Sequence, residues 1–176
     1  MSIREAMGDA PAISALVASA RKGDKDAFSR LVIMFLPAAV SAALAIVRRR
    51  EWAEDVAQIA FLRAWQSLTS LQANAAFASW FMTIVRNCAR NWLRDHSFDS
   101  RFEGESAAAD LAAPVATDTE LPDAVWRLPE DLREAVLLRF VNDLSYEEVA
   151  QALGQPLSVI RDRLYRARQA LAEFLK

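Results

Sequence analysis

The alternation of hydrophobic and polar positions is helical along most of the chain, and it is most distinctive near the C-terminus, from Leu144 to Arg168. There, Ser145 followed by Glu148 forms a capping box, in which two side chains take up backbone N–H groups at the start of a helix. Gly154 can adopt the left-handed conformation that ends such a helix. A second helix follows after a short turn. The pattern predicts a helix-turn-helix, a motif that places its second helix in the DNA major groove.

The second helix of this motif is expected to bury one side and to present the other to DNA. Ser158 can cap the start of this helix. Its apolar positions recur at helical spacing, at Ile160, Leu164, Ala167 and Leu171. The outward positions are Ser158, Val159, Asp162, Tyr165, Arg166 and Gln169, flanked by Arg161, Arg163 and Arg168. We expect the flanking arginines to bind phosphates and Asp162, Arg166 and Gln169 to meet base edges. Asp162 can accept from a cytosine amine or pair with Arg166, and an ordinary helical hairpin would show the same pattern.

The N-terminal half also shows a succession of helical stretches. A first helix is expected to stop at Gly23, and Asp24 can cap a second. Pro37 is expected to break or kink the pattern. The continuation should end in Arg48–Arg50, which would either match the helix dipole or contact a DNA backbone.

Two further helices carry unusual polar rows. In the stretch Glu51–Trp65, Glu54, Asp55 and Gln58 lie away from the apolar side, where they suit either the helix dipole or a partner that bears arginines.

The stretch Ala75–His96 combines a broad apolar stripe, including Trp80, with a polar row made up of Arg86, Asn87, Arg90, Asn91 and Arg94. Aromatic rings beside arginines and amides are typical of binding to an unstacked single strand, although most of the aromatic residues also suit a core.

Composition and charge complete the expected architecture. The 176 residues are 53% hydrophobic and include only 4 glycines, which favours an all-α fold. Residues 1–96 carry 12 basic and 8 acidic side chains. Residues 97–120 carry 1 basic and 6 acidic side chains, and their apolar residues do not recur at helical spacing. We therefore predict two small helical domains, 1–96 and 121–176, the second of which contains the helix-turn-helix, joined by an acidic flexible linker at 97–120.

Several classes of function are disfavoured. We expect no apolar run long enough to span a bilayer, no membrane insertion and no secretory signal, so a cytoplasmic location is predicted. One cysteine and one histidine provide neither a disulfide framework nor a zinc site. No catalytic set or glycine-rich phosphate loop is evident, so we predict neither an enzyme nor a cofactor.

Taken in order, WAEDVAQIAFLRAW, FASWFMTIVRNCARNWL, the acidic segment, LPEDLREAVLLRFVNDLSYEEVAQALG and RLYRAR resemble bacterial RNA polymerase sigma factors of the extracytoplasmic-function (ECF) group. The resemblance covers about Ala27 to Leu175. It implies a first domain that binds the core polymerase clamp and melts the minus-ten element, and a second that reads the minus-thirty-five element. It also implies an anti-sigma partner, a role in a stress or envelope response, and a linker that follows the RNA exit path.

The resemblance assigns roles to particular residues. Those expected to bind polymerase are Glu54, Asp55 and Gln58. Those expected to bind the minus-ten DNA are Trp80, Arg86, Asn87, Arg90 and Asn91, and all of these except Arg86 are expected to capture a flipped base of the melted non-template strand. Those expected to meet the duplex at minus thirty-five are Ser158, Val159, Arg161, Asp162, Arg163 and Arg166.

The chain departs from the family in two places. The specificity loop begins Leu71-Gln72-Ala73 where Phe-Arg-Gly is common, and Val159 and Asp162 alter the recognition helix. The first departure bears on the shape of the loop and its promoter preference, and the second predicts an atypical minus-thirty-five sequence. Two other interpretations remain open: a stand-alone repressor or activator, which should bind duplex DNA without polymerase, and a sigma-like decoy for an anti-sigma protein.

Overall fold

The computed structural model describes residues 10–99 and 123–174, and every regular element within those ranges is helical. The N-terminal elements are α1 (Ala10–Ala20), α2 (Lys25–Val47), α3 (Arg50–Ser67), two 3-10 turns (Leu68–Ser70 and Asn74–Ala76) and α4 (Phe77–Asp99). The C-terminal elements are α5 (Asp123–Trp126), α6 (Glu130–Val136), a π turn (Leu137–Val141), α7 (Tyr146–Leu153) and α8 (Leu157–Phe174). The predicted all-α class is confirmed. Helix α4 runs three residues into the predicted linker, and positions 100–120 lie outside the described residues.

Helix α2 is the centre of the N-terminal body, because α1, α3 and α4 all pack against it. Asp24 caps its first turn as predicted, since the Asp24 Oδ1 accepts from two backbone N–H groups at 3.0 Å. The core beneath it is aromatic. The Phe35 ring lies edge-on to those of Phe77 and Phe81, with ring centroids 5.2 and 6.1 Å away. All three rings are buried, which fixes the buried side of α4 against α2.

Of the break or kink predicted at Pro37, the break is wrong, because α2 continues through it to Val47. Proline removes one backbone N–H, so the carbonyl four residues earlier loses its helical partner. Pro37 is exposed and lies on the same side as Ile33 and Leu36, which are also exposed. Water can therefore donate a hydrogen bond to the freed carbonyl, and the burial of the other side of α2 keeps the helix continuous.

The Arg48–Arg50 segment does not end a helix as predicted. Arg48 adopts a left-handed conformation with φ of 61° and turns the chain, and Arg50 begins α3. The Arg49 guanidinium lies 4.7 Å from the centre of the Trp52 ring, and the Arg50 Nε lies 3.0 Å from Glu54 Oε1. These side chains support the α2–α3 turn.

Helix α2 is also long and apolar enough to cross a membrane, contrary to the expectation that no such stretch exists. However, 67% of its most apolar stretch is buried within the protein. Its composition is accounted for by its position at the centre of the helical core.

The helix-turn-helix forms as predicted. Ser145 and Glu148 make both hydrogen bonds of the capping box, and Gly154 ends α7 with φ of 61°. The predicted cap of α8 is wrong: the helix begins at Leu157, and the Pro156 carbonyl accepts from the backbone N–H groups of Val159 and Ile160. Of the predicted apolar side of α8, Ile160, Leu164 and Ala167 are buried, whereas Leu171 is only half-buried.

The two halves of the chain pack directly against each other. Helix α2 contacts α6 and the π turn, and α4 contacts α7. Leu44 and Val47 at the end of α2 are buried, as are Leu137 and Leu138 of the π turn, and all four belong to one continuous hydrophobic core. The C-terminal body therefore lies against the side of the N-terminal body formed by α2 and α4.

Gly154 lies at this contact, and we expect Gly154→Ala to destabilise the protein by about 1–2 kcal/mol or more, because a side chain in the left-handed region is strained. A Cβ there would also lie 3.2 Å from the Ser79 Cβ. Gly23→Ala is the matched control, because Gly23 also has a positive φ, of 93°, but no heavy atom lies within 4 Å of the point that an alanine Cβ would occupy. Urea unfolding should show a larger loss for Gly154→Ala; equal losses would mean that the contact with Ser79 contributes nothing.

Candidate functional site

Helix α3 presents a polar row on its outward side. Glu54, Asp55 and Gln58 are exposed, whereas Val56 and Ala57 on the other side are fully buried. The Glu54 carboxylate is paired with Arg50, one turn earlier. The structure thus brings the three predicted residues together as a cluster of hydrogen-bond acceptors that can receive arginine side chains.

An exposed apolar surface lies next to this row, and the sequence interpretation missed it. Leu62 is 64% exposed one turn beyond Gln58. A shallow pocket of about 310 Å³ beside Leu62 is lined by Phe28 and Trp65, among others, whose ring centroids are 4.8 Å apart. Large apolar side chains that remain in water commonly mark a protein-binding surface. The signal in the sequence was a leucine at a position that the helical period places outside the core.

Helix α4 carries the second polar row. Asn87 is exposed, Asn91 is half-buried, and the half-buried Trp80 packs against Phe77 with ring centroids 6.0 Å apart. The opposite side of the helix is buried as predicted, at Phe77, Phe81, Val85, Cys88 and Ala89. Trp80 and the two asparagines can therefore offer a stacking surface and amide groups to a base.

Two other residues of this row are paired with acids from the C-terminal body. Arg86 Nε donates to Glu134 Oε1 at 2.9 Å, and Arg90 Nη2 donates to Glu130 Oε1 at 2.8 Å. The first pair is largely buried, with side chains 16% and 7% exposed, whereas the second is open to solvent. Burial raises the pKa of Glu134, and Arg86 only partly opposes that shift.

The roles of Glu130 and Glu134 were not predicted from the sequence. Both acids lie on α6 four residues apart, and so do Arg86 and Arg90 on α4, so that two matching charge rows meet in antiparallel order. The equal spacing was a possible signal. Such spacing is common on helices, and only the tertiary contact shows that these two rows face each other.

A buried arginine supports the same contact. Arg133 Nη1 donates to the Ala45 carbonyl at 2.5 Å and Nη2 donates to the Leu128 carbonyl at 2.7 Å. Burial, followed by the charge of Arg48, lowers the pKa of Arg133 to about 10, so the side chain remains a cation at neutral pH. It therefore places a positive charge on a free carbonyl in the last turn of α2, where the helix dipole favours one.

The loop that begins Leu71-Gln72-Ala73 is held at both ends. Leu71 is buried, whereas Gln72 and Ala73 are exposed. Arg21 Nη1 donates to Asn74 Oδ1 at 3.1 Å, so α1 fixes the far end of the loop. The backbone between these two anchors is open to a ligand.

Helix α8 exposes most of its predicted DNA-binding residues. Ser158, Arg161, Asp162 and Arg166 are exposed, and Val159 is half-buried. Arg166 Nη1 lies 3.7 Å from Asp162 Oδ2, so the pairing within the helix is present, with both side chains still largely in solvent.

Arg163, predicted to flank the outward face of α8 and bind phosphate, turns towards α6 instead. Its side chain is only 21% exposed, and its Nε lies 3.6 Å from the Asp131 carboxylate of α6. It therefore contributes to the packing of its own body.

Comparisons with known proteins agree with this architecture. Residues 31–98 match the family model described as Sigma-70 region 2, and residues 119–171 match Sigma-70, region 4. The RNA polymerase sigma-H factor of Pseudomonas aeruginosa is 32% identical, with 92% of each chain covered. The ECF RNA polymerase sigma-E factor of Escherichia coli K12 is 35% identical over 89% of this chain and 90% of that protein.

Two solved structures are similar to the whole fold. One is CnrH in complex with the cytosolic domain of CnrY, with a TM-score of 0.66, 27% identity, and coverage of 93% of this chain and 97% of that one. The other is the sigma factor RpoE of Bartonella quintana in complex with the anti-sigma factor NepR, with a TM-score of 0.58, 27% identity, and coverage of 84% and 96%.

Proposed function

Because the chain belongs to the ECF group of the sigma-70 family of RNA polymerase sigma factors, we propose that its two halves divide promoter recognition between them. Residues 1–96 bind the polymerase clamp and the minus-ten element, and residues 121–176 read the minus-thirty-five element. The protein is a regulator of transcription initiation with no catalysis of its own. It acts in the cytoplasm as the specificity subunit of the polymerase.

Polymerase binding is assigned to the outward side of α3. Glu54, Asp55 and Gln58 are exposed together there, and Leu62 continues the same surface. Acceptors beside an exposed leucine suit a partner helix that carries both arginines and apolar side chains. This surface supports the assignment to the clamp of the core enzyme.

Recognition of the melted non-template strand is assigned to the polar side of α4. Asn87 and Asn91 can read the edge of a flipped base, Trp80 provides a ring surface, and Arg86 and Arg90 suit phosphate. The observation that carries the proposal is that Asn87 and Arg90 are exposed on the side of α4 opposite its fully buried aromatic residues, which give these groups a rigid support.

Duplex recognition is assigned to α8. Arg161 is placed for a phosphate contact, and Arg166 and Asp162 for base edges. The short turn at Gly154 and the buried side of α8 hold that helix rigidly against α7. Contacts at both ends of a promoter fit the family to which the chain belongs.

Regulation by an anti-sigma protein is proposed from the relatives. The structure similar to this chain over 93% of its length is a complex with a cytosolic domain, and the Bartonella quintana relative is bound to an anti-sigma factor. A partner of this type would hold the protein inactive until a stress or envelope signal releases it.

Site-specific photo-crosslinking within the promoter-bound holoenzyme tests this division. A photoreactive residue at Asn87 should crosslink to the non-template strand at the minus-ten element, and one at Arg166 to the duplex near minus thirty-five. A photoreactive residue at Glu173, at the far end of α8, provides a background control. The proposal would be contradicted if position 87 crosslinked near minus thirty-five and position 166 crosslinked to the minus-ten element. It would also be contradicted if both positions crosslinked only at the background level.

We expect Asp162→Ser to change the preferred minus-thirty-five sequence. Loss of the carboxylate releases Arg166 from its partner 3.7 Å away and replaces a charged acceptor on the helix surface with a neutral hydroxyl. A single base contact contributes about 1–3 kcal/mol of discrimination, so preference at one position should shift by about fivefold or more. The preferred sequence is measured by selection from a library of upstream elements with holoenzyme. Glu173→Ser is the control, because it also replaces an acid of α8 by serine. Identical preferences for wild type and Asp162→Ser would refute the role of Asp162.

A further inference from the structure

A short loop, residues 71–76, lies directly before α4, at one end of the surface assigned to the melted strand. We infer that Arg21, the residue after α1, holds this loop in the conformation that contacts a base, and thereby sets the base preference at one position of the minus-ten element. Arg21 acts as a positioning residue and does not itself meet DNA. The inference rests on the proposed role of α4 and extends it to the loop.

The loop continues the side of α4 that carries Trp80 and two asparagines. Trp80, Asn87 and Asn91 are spaced seven and four positions apart, so they share one side of the helix. The loop ends at Ala76, one helical turn or about 6 Å before Trp80. A strand that follows these three residues towards the start of α4 therefore arrives at the loop.

The middle of the loop is open to a base but has little support of its own. Of residues 71–76 only Leu71 is buried, and Gln72 and Ala73 are exposed. The backbone is extended at Leu71 and Ala73, with φ of -65° and -132°. The exposed backbone and the Gln72 amide offer donors and acceptors to a base edge. Selective contact requires that one conformation of this stretch is held by other parts of the chain.

Arg21 holds the loop at two points. Its Nη1 donates to the Asn74 Oδ1 at 3.1 Å, and its Nη2 donates to the Thr69 carbonyl at 3.5 Å, which is the weaker of the two hydrogen bonds. The two acceptors belong to the 3-10 turns on either side of the exposed residues. The guanidinium carries its donors in a fixed fork, so it can set the distance between the two ends of the loop.

Arg21 itself has a rigid support. Its backbone N–H donates to the Val17 carbonyl at 2.9 Å, and both Val17 and Ala20 are buried in the core. Helix α1 also packs against the 3-10 turn Asn74–Ala76. The guanidinium is therefore carried by a fixed helix, and the loop takes its position from that helix.

The contact is expected to affect base preference more than stability. Arg21 is exposed, so its loss should leave global unfolding almost unchanged. The released loop would sample several conformations, and the affinity for the preferred base falls with the fraction that remains competent. An arginine that only attracts phosphate would behave differently, because its loss would weaken binding to all promoter sequences about equally.

Arg21→Gln in holoenzyme assembled from the full-length chain tests the inference. Open-complex formation is measured on a promoter library in which each minus-ten position carries each of the four bases. We expect discrimination at one position to fall about fivefold, which corresponds to the loss of about one hydrogen bond. Discrimination at the other positions, affinity for core enzyme and thermal unfolding should stay close to wild type. Amide hydrogen exchange of the free chain should become faster in residues 71–76.

Three further variants separate positioning from charge. Lys22→Gln is the matched control, because Lys22 is an exposed cation at the next position and takes no part in either hydrogen bond. It should retain the wild-type preference. Arg21→Lys keeps the charge but lacks the fork, so it should lose discrimination as Arg21→Gln does. Asn74→Ala should add little in an Arg21→Gln background, because the two side chains act through one contact.

The outcomes distinguish this inference from the proposed function. Lost discrimination at one position for Arg21→Gln and Arg21→Lys, but not for Lys22→Gln, supports the inference. An equal loss on every library member, or a wild-type preference for Arg21→Lys, would show that Arg21 acts only as a charge and overturns it. Unchanged preference at every position in a holoenzyme that initiates normally also overturns it, while the proposed function stands. If wild type initiates at no library promoter, the proposed function fails and the inference fails with it.

Discussion

Replacement of Asp55 by arginine is expected to reduce the affinity for core RNA polymerase by about a hundredfold or more. Asp55 is exposed at the centre of the α3 row, between Glu54 and Gln58. If this surface receives arginines of the clamp, a reversed charge places like charges in contact, which costs several kcal/mol in an interface. Titration of fluorescently labelled core enzyme with the purified variant measures the loss directly.

The control for this variant is Asp26→Arg. Asp26 is an exposed acid on α2 of the same body, so the net charge changes equally while the α3 row stays intact. We expect near-normal affinity for the control and unchanged thermal unfolding for Asp55→Arg. Equal affinities of Asp55→Arg and wild type for the core enzyme would remove α3 from the polymerase interface.

Replacement of Asn87 by alanine is expected to reduce the fraction of open promoter complexes by about tenfold to a hundredfold. The amide of Asn87 is exposed on α4 and is assigned to the edge of the flipped base. Unstacking the base costs free energy, which hydrogen bonds to the protein offset. Without the Asn87 amide, about 1–3 kcal/mol of that offsetting free energy is lost. Permanganate reactivity of unpaired thymines in the minus-ten region reports the open fraction.

Holoenzyme assembly separates this effect from a folding defect. Alanine favours a helix more than asparagine does, so the variant should bind core polymerase and resist urea as well as wild type. Gln66→Ala removes an exposed amide from α3 and should leave strand opening unchanged. Normal opening by Asn87→Ala would mean that the base is held by other residues of the row.

Local chemistry made much of the fold predictable. The capping box at Ser145 and the left-handed Gly154 are determined by neighbouring residues, so the helix-turn-helix could be placed to within a residue or two. The buried side of α4 followed from helical spacing. These features depend on contacts a few positions apart.

The failures have a shared physical cause, because they depend on distant parts of the chain. Pro37 remains within α2 because its position is exposed while the opposite side of the helix is buried by α1, α3 and α4. Arg163 turns towards Asp131 of α6, which the helical wheel of α8 alone could not show. The pairing of Arg86 with Glu134 likewise needs the tertiary contact between the two bodies.

In vitro transcription with core RNA polymerase tests the central claim most directly. A library of promoter fragments is transcribed by core enzyme alone, and by core enzyme with the purified chain. We predict discrete start sites that require the chain and that share a minus-ten and a minus-thirty-five element. If the chain associates with no core enzyme and yields no start sites beyond those of core enzyme alone, the account is contradicted.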